Sequence, residues 1–287
     1  MLGKVCIGVV LIWSLAMCTN AANVDSGTFK TSDGVKLHYL EAGKGPAIVF
    51  VPGWTMPAWI WEGQIQHFAE HYHVVALDPR SQGESEKAAE GNYIERRAQD
   101  IQELIENRKL APVVLVGWSL AVAEVLSYAE QFGGANVRGY VLVDGLAWER
   151  QDLQFVEAML GMFKQLQVNR RPFTERFVRS MYKKPQSEEY IARVIAASLQ
   201  MPTDSAVAAS LSAVSRTDWK PAMEKLDRPV LVMCESSIQA MTADPVKKNV
   251  PTARVEAFAD ASHALFVDDA ERFNTVLEDF VKSIPAQ

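Results

Sequence analysis

The sequence predicts an α/β protein built on a mostly parallel, doubly wound sheet. Three observations carry that reading. Short, β-branched-rich apolar runs end in turn residues at Ala47 to Val51, Val74 to Leu77, Val113 to Val116, Tyr140 to Val143 and Val230 to Met233. Runs of this kind fit strands covered on both faces of a parallel sheet. Helical periodicities fall between them, and strand–helix–strand alternation is the signature of a doubly wound sheet. One long stretch breaks the alternation.

The elements follow in chain order. Val35 to Leu40 alternates apolar and polar residues, as a half-buried strand does. Ile94, Ala98, Ile101 and Ile105 recur at helical spacing. Ala121 to Gln131 is a helix-forming stretch directly behind the Val113 strand. From about Ala147 to Ala222 the chain has helical character, no convincing strand, and large apolar residues such as Leu153, Phe155, Met159, Met162, Phe163, Phe177 and Met181. This stretch is expected to be a helical lid inserted after the sixth strand. Arg254 to Phe258 is a further candidate strand. The last helix, about Ala270 to Val281, places Phe273, Val276, Leu277 and Phe280 on one face.

The expected organisation is therefore a signal peptide at 1–22, a core formed by 23–146 and 223–287, and the lid at 147–222. Lys4 precedes a largely apolar run of 13 residues, Val5 to Met17, and Ala21-Ala22 offers a cleavage site. The run is shorter than the roughly 20 residues a membrane span needs, so export without a transmembrane span in the mature chain is expected. Leu15-Ala16-Met17-Cys18 also resembles a bacterial lipobox, which makes tethering through Cys18 an alternative. Cys6 and Cys18 lie in this leader, leaving Cys234 as the mature chain's single cysteine and no internal disulfide.

With 287 residues, 48% of them hydrophobic, the chain can bury one substantial core. The net charge of −6 and the lack of a basic stripe argue against a nucleic-acid partner. The sequence leaves the oligomeric state open.

The sharpest chemical signal is Val113-Val114-Leu115-Val116-Gly117-Trp118-Ser119-Leu120-Ala121. An apolar strand runs straight into Gly-x-Ser-x-small, and a helix follows. A turn this tight needs tiny side chains two positions either side of the serine, and it presents Ser119 as a nucleophile. A serine hydroxyl needs a base to take its proton. Of five histidines, His38 is read as a solvent-facing strand residue, and His67, His71 and His73 as exposed surface. His263 lies between the Arg254 strand and the last helix, downstream of Ser119, where a late loop brings the base over the elbow.

The acid that orients the imidazole is less determined. The segment after the Val230 strand reads Met233-Cys234-Glu235-Ser236-Ser237-Ile238, with no Asp until Asp244. Asp144, closing the preceding strand, is the favoured acid, and Glu235 is the alternative. The backbone N–H groups of Trp54, after the Val51 strand, and of Leu120 are the candidate oxyanion donors. Trp118 and Trp148 are candidate substrate contacts, and Trp54, Trp61 and Trp148 together could wall an apolar pocket. No His/Cys/Asp cluster has metal-ligand spacing and no Gly-rich phosphate loop is present, so neither a metal nor a cofactor is expected.

Over about Phe29 to Ile284 these residues resemble the α/β-hydrolase superfamily. The matches are Pro52-Gly53-Trp54, the turn Asp78-Pro79-Arg80-Ser81-Gln82-Gly83-Glu84-Ser85, the elbow, and His263 followed by Ala264-Leu265-Phe266-Val267-Asp268. The likeness is greatest to the esterase and cofactor-free haloperoxidase-like branch, which implies hydrolysis of carboxylic esters, including lactones. Three positions depart from the pattern: Pro52 stands for the usual His, Ala121 for Gly, and the standard acid position is empty. Ser119 itself argues against haloalkane dehalogenases and epoxide hydrolases of this fold, which carry Asp at the elbow. The expected function is cleavage of a small ester or lactone with an apolar acyl part through an acyl-enzyme. Amide or carbon–carbon bond hydrolysis on the same groups, or a non-catalytic binder of small apolar molecules, are the alternatives.

Overall fold

A computed structural model describes residues 22–148 and 153–285. The leader's apolar run and Cys18 lie outside the described residues. The chain forms β1 (Asp25–Lys30), β2 (Lys36–Ala42), β3 (Ala47–Val51), α1 (Glu62–Phe68), β4 (His73–Asp78), α2 (Ile94–Arg108), β5 (Val113–Trp118), α3 (Leu120–Phe132) and β6 (Val137–Val143). The helical stretch follows as α4 (Leu153–Val168), α5 (Arg170–Ser180), α6 (Glu188–Gln200), α7 (Thr203–Ser215) and the short α8 (Lys220–Met223). The chain then completes β7 (Val230–Glu235), α9 (Gln239–Asn249), β8 (Arg254–Phe258), α10 (Leu265–Asp268) and α11 (Ala270–Ser283).

The eight strands make one sheet in the order β1-β2-β4-β3-β5-β6-β7-β8. Its first two pairings are antiparallel and the other five parallel. The central strands explain the continuous apolar runs, because successive side chains point to opposite faces and both faces are covered. Val49, Val51, Val113, Leu115, Tyr140 and Leu142 pack beneath α2 and α3. Their neighbours Ile48, Phe50, Val114, Val116, Val141 and Val143 pack on the other side against α1 and α11. β1 gave no apolar signal in the sequence, because most of its residues are exposed on this edge strand.

Parallel pairing with the crossovers wound on both faces brings the carboxyl ends of β3, β5, β6 and β7 to one edge of the sheet. That edge is where ligands bind in sheets of this type. Helices α4 to α7 lie between β6 and β7 in the chain, and α4, α5 and α7 contribute residues to the wall opposite that edge. No helix among the described residues is long and apolar enough to cross a membrane.

Candidate active site

The elbow is built by backbone strain. Ser119 has φ 59° and ψ −118°, a region non-glycine residues rarely occupy, held between β5 and the first turn of α3. Its N–H is fixed by the carbonyl of Val143 on the neighbouring strand, at 2.8 Å. Crossing this sharply brings the chain back on itself. A Cβ at position 117 would sit 2.6 Å from the carbonyl oxygen of Ala121, which is why only glycine fits there. Ala121 is tolerated because its own methyl is buried without needing that space.

Asp144 closes β6, also with positive φ (45°), and its N–H donates to the carbonyl of Met233 at 2.8 Å. The following Gly145 passes so close to the elbow that a Cβ would lie 2.4 Å from the carbonyl oxygen of Ser119. The Asp-Gly pair therefore belongs to the site as a unit. His263 arrives on the loop between β8 and α10. The indole N–H of Trp118 donates to the His263 carbonyl at 2.8 Å, so the residue beside Ser119 positions the His263 backbone.

The three side chains meet in one line. His263 Nε2 lies 2.8 Å from Ser119 Oγ, and His263 Nδ1 lies 2.7 Å from Asp144 Oδ2. An ionised carboxylate can only accept, so Nδ1 carries the proton and Nε2 presents a lone pair to the hydroxyl. Asp144 Oδ1 accepts the backbone N–H of Glu235 at 2.7 Å, and the Asp144 side chain is 1% exposed. The Glu235 carboxylate is not part of this line: it accepts from the Ser237 hydroxyl, and Glu235 gives only an amide proton to Asp144. The end of β7 supplies a donor where the usual pattern supplies the carboxylate.

The oxyanion loop lies opposite. Trp54 and Leu120 both line the cavity over Ser119, and neither N–H has an acceptor among the described backbone bonds. Leu120 opens α3, and the first N–H groups of a helix have no acceptor within it. Gly53 is needed for the approach of the two loops, since a Cβ there would come within 2.9 Å of Ser119 Cβ. The loop is pinned from both sides. Gln82 donates its amide to the carbonyls of Gly53 and Met56, at 3.0 and 2.7 Å. Gln82 in turn accepts from Arg97 of α2, whose guanidinium pairs with Glu124 of α3 in the buried interior. From the other side, Trp54 Nε1 donates to the carbonyl of Ala206 in α7 at 2.7 Å, and its ring meets Phe173 and Phe177 edge-on.

The cavity above Ser119 measures about 320 Å³. Its walls are apolar: Trp148, Met159, Met162, Phe177, Val214, Trp219 and Ile238. Trp54 and Trp148 reach it as expected. Trp61 does not: it is fully buried in the core against Phe50 and Phe266. Trp118 is also absent from the cavity lining, being buried under the His263 loop, so its expected substrate contact is replaced by a positioning one. Trp219 and Ile238 were missed because they flank the site from segments with no motif of their own. The indole N–H of Trp219 is buried and has no hydrogen-bond acceptor among the described residues.

Two histidine readings need correction. His38 is not solvent-facing but buried, with Nδ1 2.7 Å from Asp78. His73 is half-buried and meets Glu41 at 3.2 Å, whereas His67 and His71 are exposed as expected.

Comparison with known proteins follows the same lines. A sequence model described as "Alpha/beta hydrolase family" matches residues 48–276. The chain is similar to a non-heme haloperoxidase from Rhodococcus erythropolis, 25% identical over 88% of this chain and 98% of that protein. Among solved structures it is similar to an esterase from Exiguobacterium antarcticum, with a TM-score of 0.83 and 23% identity over 89% of this chain and 99% of that one. It is also similar to the enol-lactonase from Burkholderia xenovorans LB400, with a TM-score of 0.77 and 19% identity over 90% and 100% of the two chains. The strand order, the elbow and the span of the sequence match agree, and the chain belongs to the alpha/beta hydrolase family.

Proposed function

We propose that this protein is a serine hydrolase cleaving a carboxylic ester or lactone with an apolar acyl part, through an acyl-enzyme on Ser119. The observation that carries the reading is the unbroken Ser119–His263–Asp144 line opening onto an apolar cavity of about 320 Å³. Ser119 Oγ attacks the ester carbonyl while His263 Nε2 takes its proton, and Asp144 stabilises the imidazolium. The oxygen that becomes negative is met by the N–H groups of Trp54 and Leu120. His263 then gives the proton to the leaving alkoxide. Water, deprotonated by the same nitrogen, releases the acid in the second half.

The cavity walls support an apolar acyl group, and its volume suits a small ligand. An acyl-homoserine lactone, with its apolar acyl chain, is one compound of this class that fits such walls. Helices α4 to α7 serve in this reading as the cover of the acyl pocket. The occupied acid position weighs against a non-catalytic binder, whose chief support was a missing third group. Export through the leader belongs to the same proposal. N-terminal sequencing of protein recovered outside the cytoplasm, reading from Asn23, would support it.

The deciding experiment compares the wild type with Ser119→Ala on p-nitrophenyl esters of graded chain length, with lactones, amides and vinylogous C–C substrates beside them. Turnover of esters or lactones that vanishes in the variant is expected. Equal rates in the two proteins end the proposal.

A further inference from the structure

A second serine–histidine–aspartate line lies across the β1–β2–β4 side of the sheet. His38 Nε2 is 2.8 Å from Ser26 Oγ, and His38 Nδ1 is 2.7 Å from Asp78 Oδ2. These are the same two distances as in the Ser119 line. The register explains the meeting. His38 of β2 stands opposite Asp78 of β4 and opposite Thr28 of β1, and Ser26, two residues along β1, shares the face of Thr28.

The chemistry of each group is set by its neighbours. Asp78 accepts the backbone N–H groups of Ala58 and Glu84 in addition to the imidazole, as a carboxylate does. His38 therefore donates from Nδ1 and presents the lone pair of Nε2 to the Ser26 hydroxyl, the tautomer that general-base activation needs. Ser26 is exposed, so a reagent can reach it, whereas His38 and Asp78 are buried behind it. All three line a cavity of about 420 Å³ that shares no residue with the one above Ser119. Arg193, stacked 3.6 Å over the ring of Trp59 and paired with Glu62 at 3.0 Å, lies on its wall. No part of the acyl-transfer reading at Ser119 uses these residues.

We propose that Ser26 is a second activated serine, an acyl acceptor for small activated carboxylic esters such as aryl acetates. The hydroxyl oxygen bonds to the acyl carbon, and the bond from that carbon to the aryl oxygen breaks. The hydroxyl proton passes to His38 Nε2 and from there to the departing phenolate. The product is acyl-Ser26 and a phenol, with no other reactant required. Ser26 lies on an exposed edge strand and lacks the strained turn that lifts Ser119, so release of the acyl group by water is slow and the reaction is stoichiometric.

The test uses the Ser119→Ala protein, which removes the other nucleophile whether or not Ser119 turns over esters. It is treated with a fluorophosphonate probe, followed by peptide mapping, and separately with p-nitrophenyl acetate. The expected result is probe on the peptide containing Ser26 and a burst of about one equivalent of p-nitrophenolate per chain without steady turnover. Both signals should disappear in Ser119→Ala/Ser26→Ala, a change at an exposed position that the fold tolerates, and in Ser119→Ala/His38→Gln. Folded Ser119→Ala that takes no probe at Ser26, or Ser26 labelled equally in urea, overturns the proposal.

Discussion

The Ser119 and Ser26 lines have matching distances and opposite settings. Ser119 is lifted out of the sheet on a strained turn, faces the N-terminus of α3, and lies under an apolar roof. Ser26 keeps the relaxed conformation of an edge strand and looks toward solvent. Hydrogen-bond reach between hydroxyl, imidazole and carboxylate thus arises from sheet register in one line and from an elbow and a late loop in the other. Turnover needs more: donors fixed where the charge will develop, and a pocket that excludes water. The comparison teaches that, in the proposed readings, backbone context separates a turning-over serine from one that is only acylated.

The largest test of this contrast falls on the third member of the Ser119 line. Asp144→Asn should lower kcat on p-nitrophenyl esters by about 10⁴-fold, because the amide favours the wrong imidazole tautomer. Glu235→Gln should change it by no more than a few-fold, since only the backbone of Glu235 touches Asp144. A loss in Glu235→Gln as large as in Asp144→Asn would move the acid to β7. Next comes the oxyanion loop. Gly53→Ala forces the loop away from Ser119 and should reduce kcat by about 10²-fold with little change in KM. An unaffected kcat would mean that the Trp54 N–H takes no part.

A smaller effect is expected from Trp54→Phe, which keeps the ring and removes the bond to Ala206. Stability should fall by about 1 kcal/mol, measured by urea unfolding, and kcat should fall more than KM rises. The smallest response concerns Cys234, at the end of β7. Burial pushes its thiol above the ordinary range despite a hydrogen bond involving Thr242, and nearby Asp144 pushes it the same way. Iodoacetamide should leave Cys234 of the folded protein unmodified and the activity intact; rapid alkylation of Cys234, read by peptide mapping, would show that the β7 end opens.

How much of this was legible depended on how local each signal was. The elbow could be read because strand, glycine, serine and helix are contiguous in Val113 to Gln131. His263 followed from chain order. The acid stayed open because Asp144 and Glu235 end adjacent parallel strands, and only the lateral pairing of β6 with β7 decides which carboxylate faces the imidazole. Gly145 was the overlooked clue, required by its approach to the Ser119 carbonyl. His38 was misread for the same kind of reason: its partner lies 40 residues away and meets it only across an antiparallel pairing. Trp118 and Trp61 looked like pocket walls by residue type, yet the core claimed both.

The bond from Trp54 to Ala206 makes the roof and the oxyanion loop a single mechanical part. A ligand too bulky for the cavity would push α7 outward and drag with it the Trp54 amide, the donor proposed for the developing charge. Poorly fitting molecules are then rejected at the bond-breaking step as well as on entry, so selectivity should be written in the speed of the reaction as much as in how tightly a compound is held.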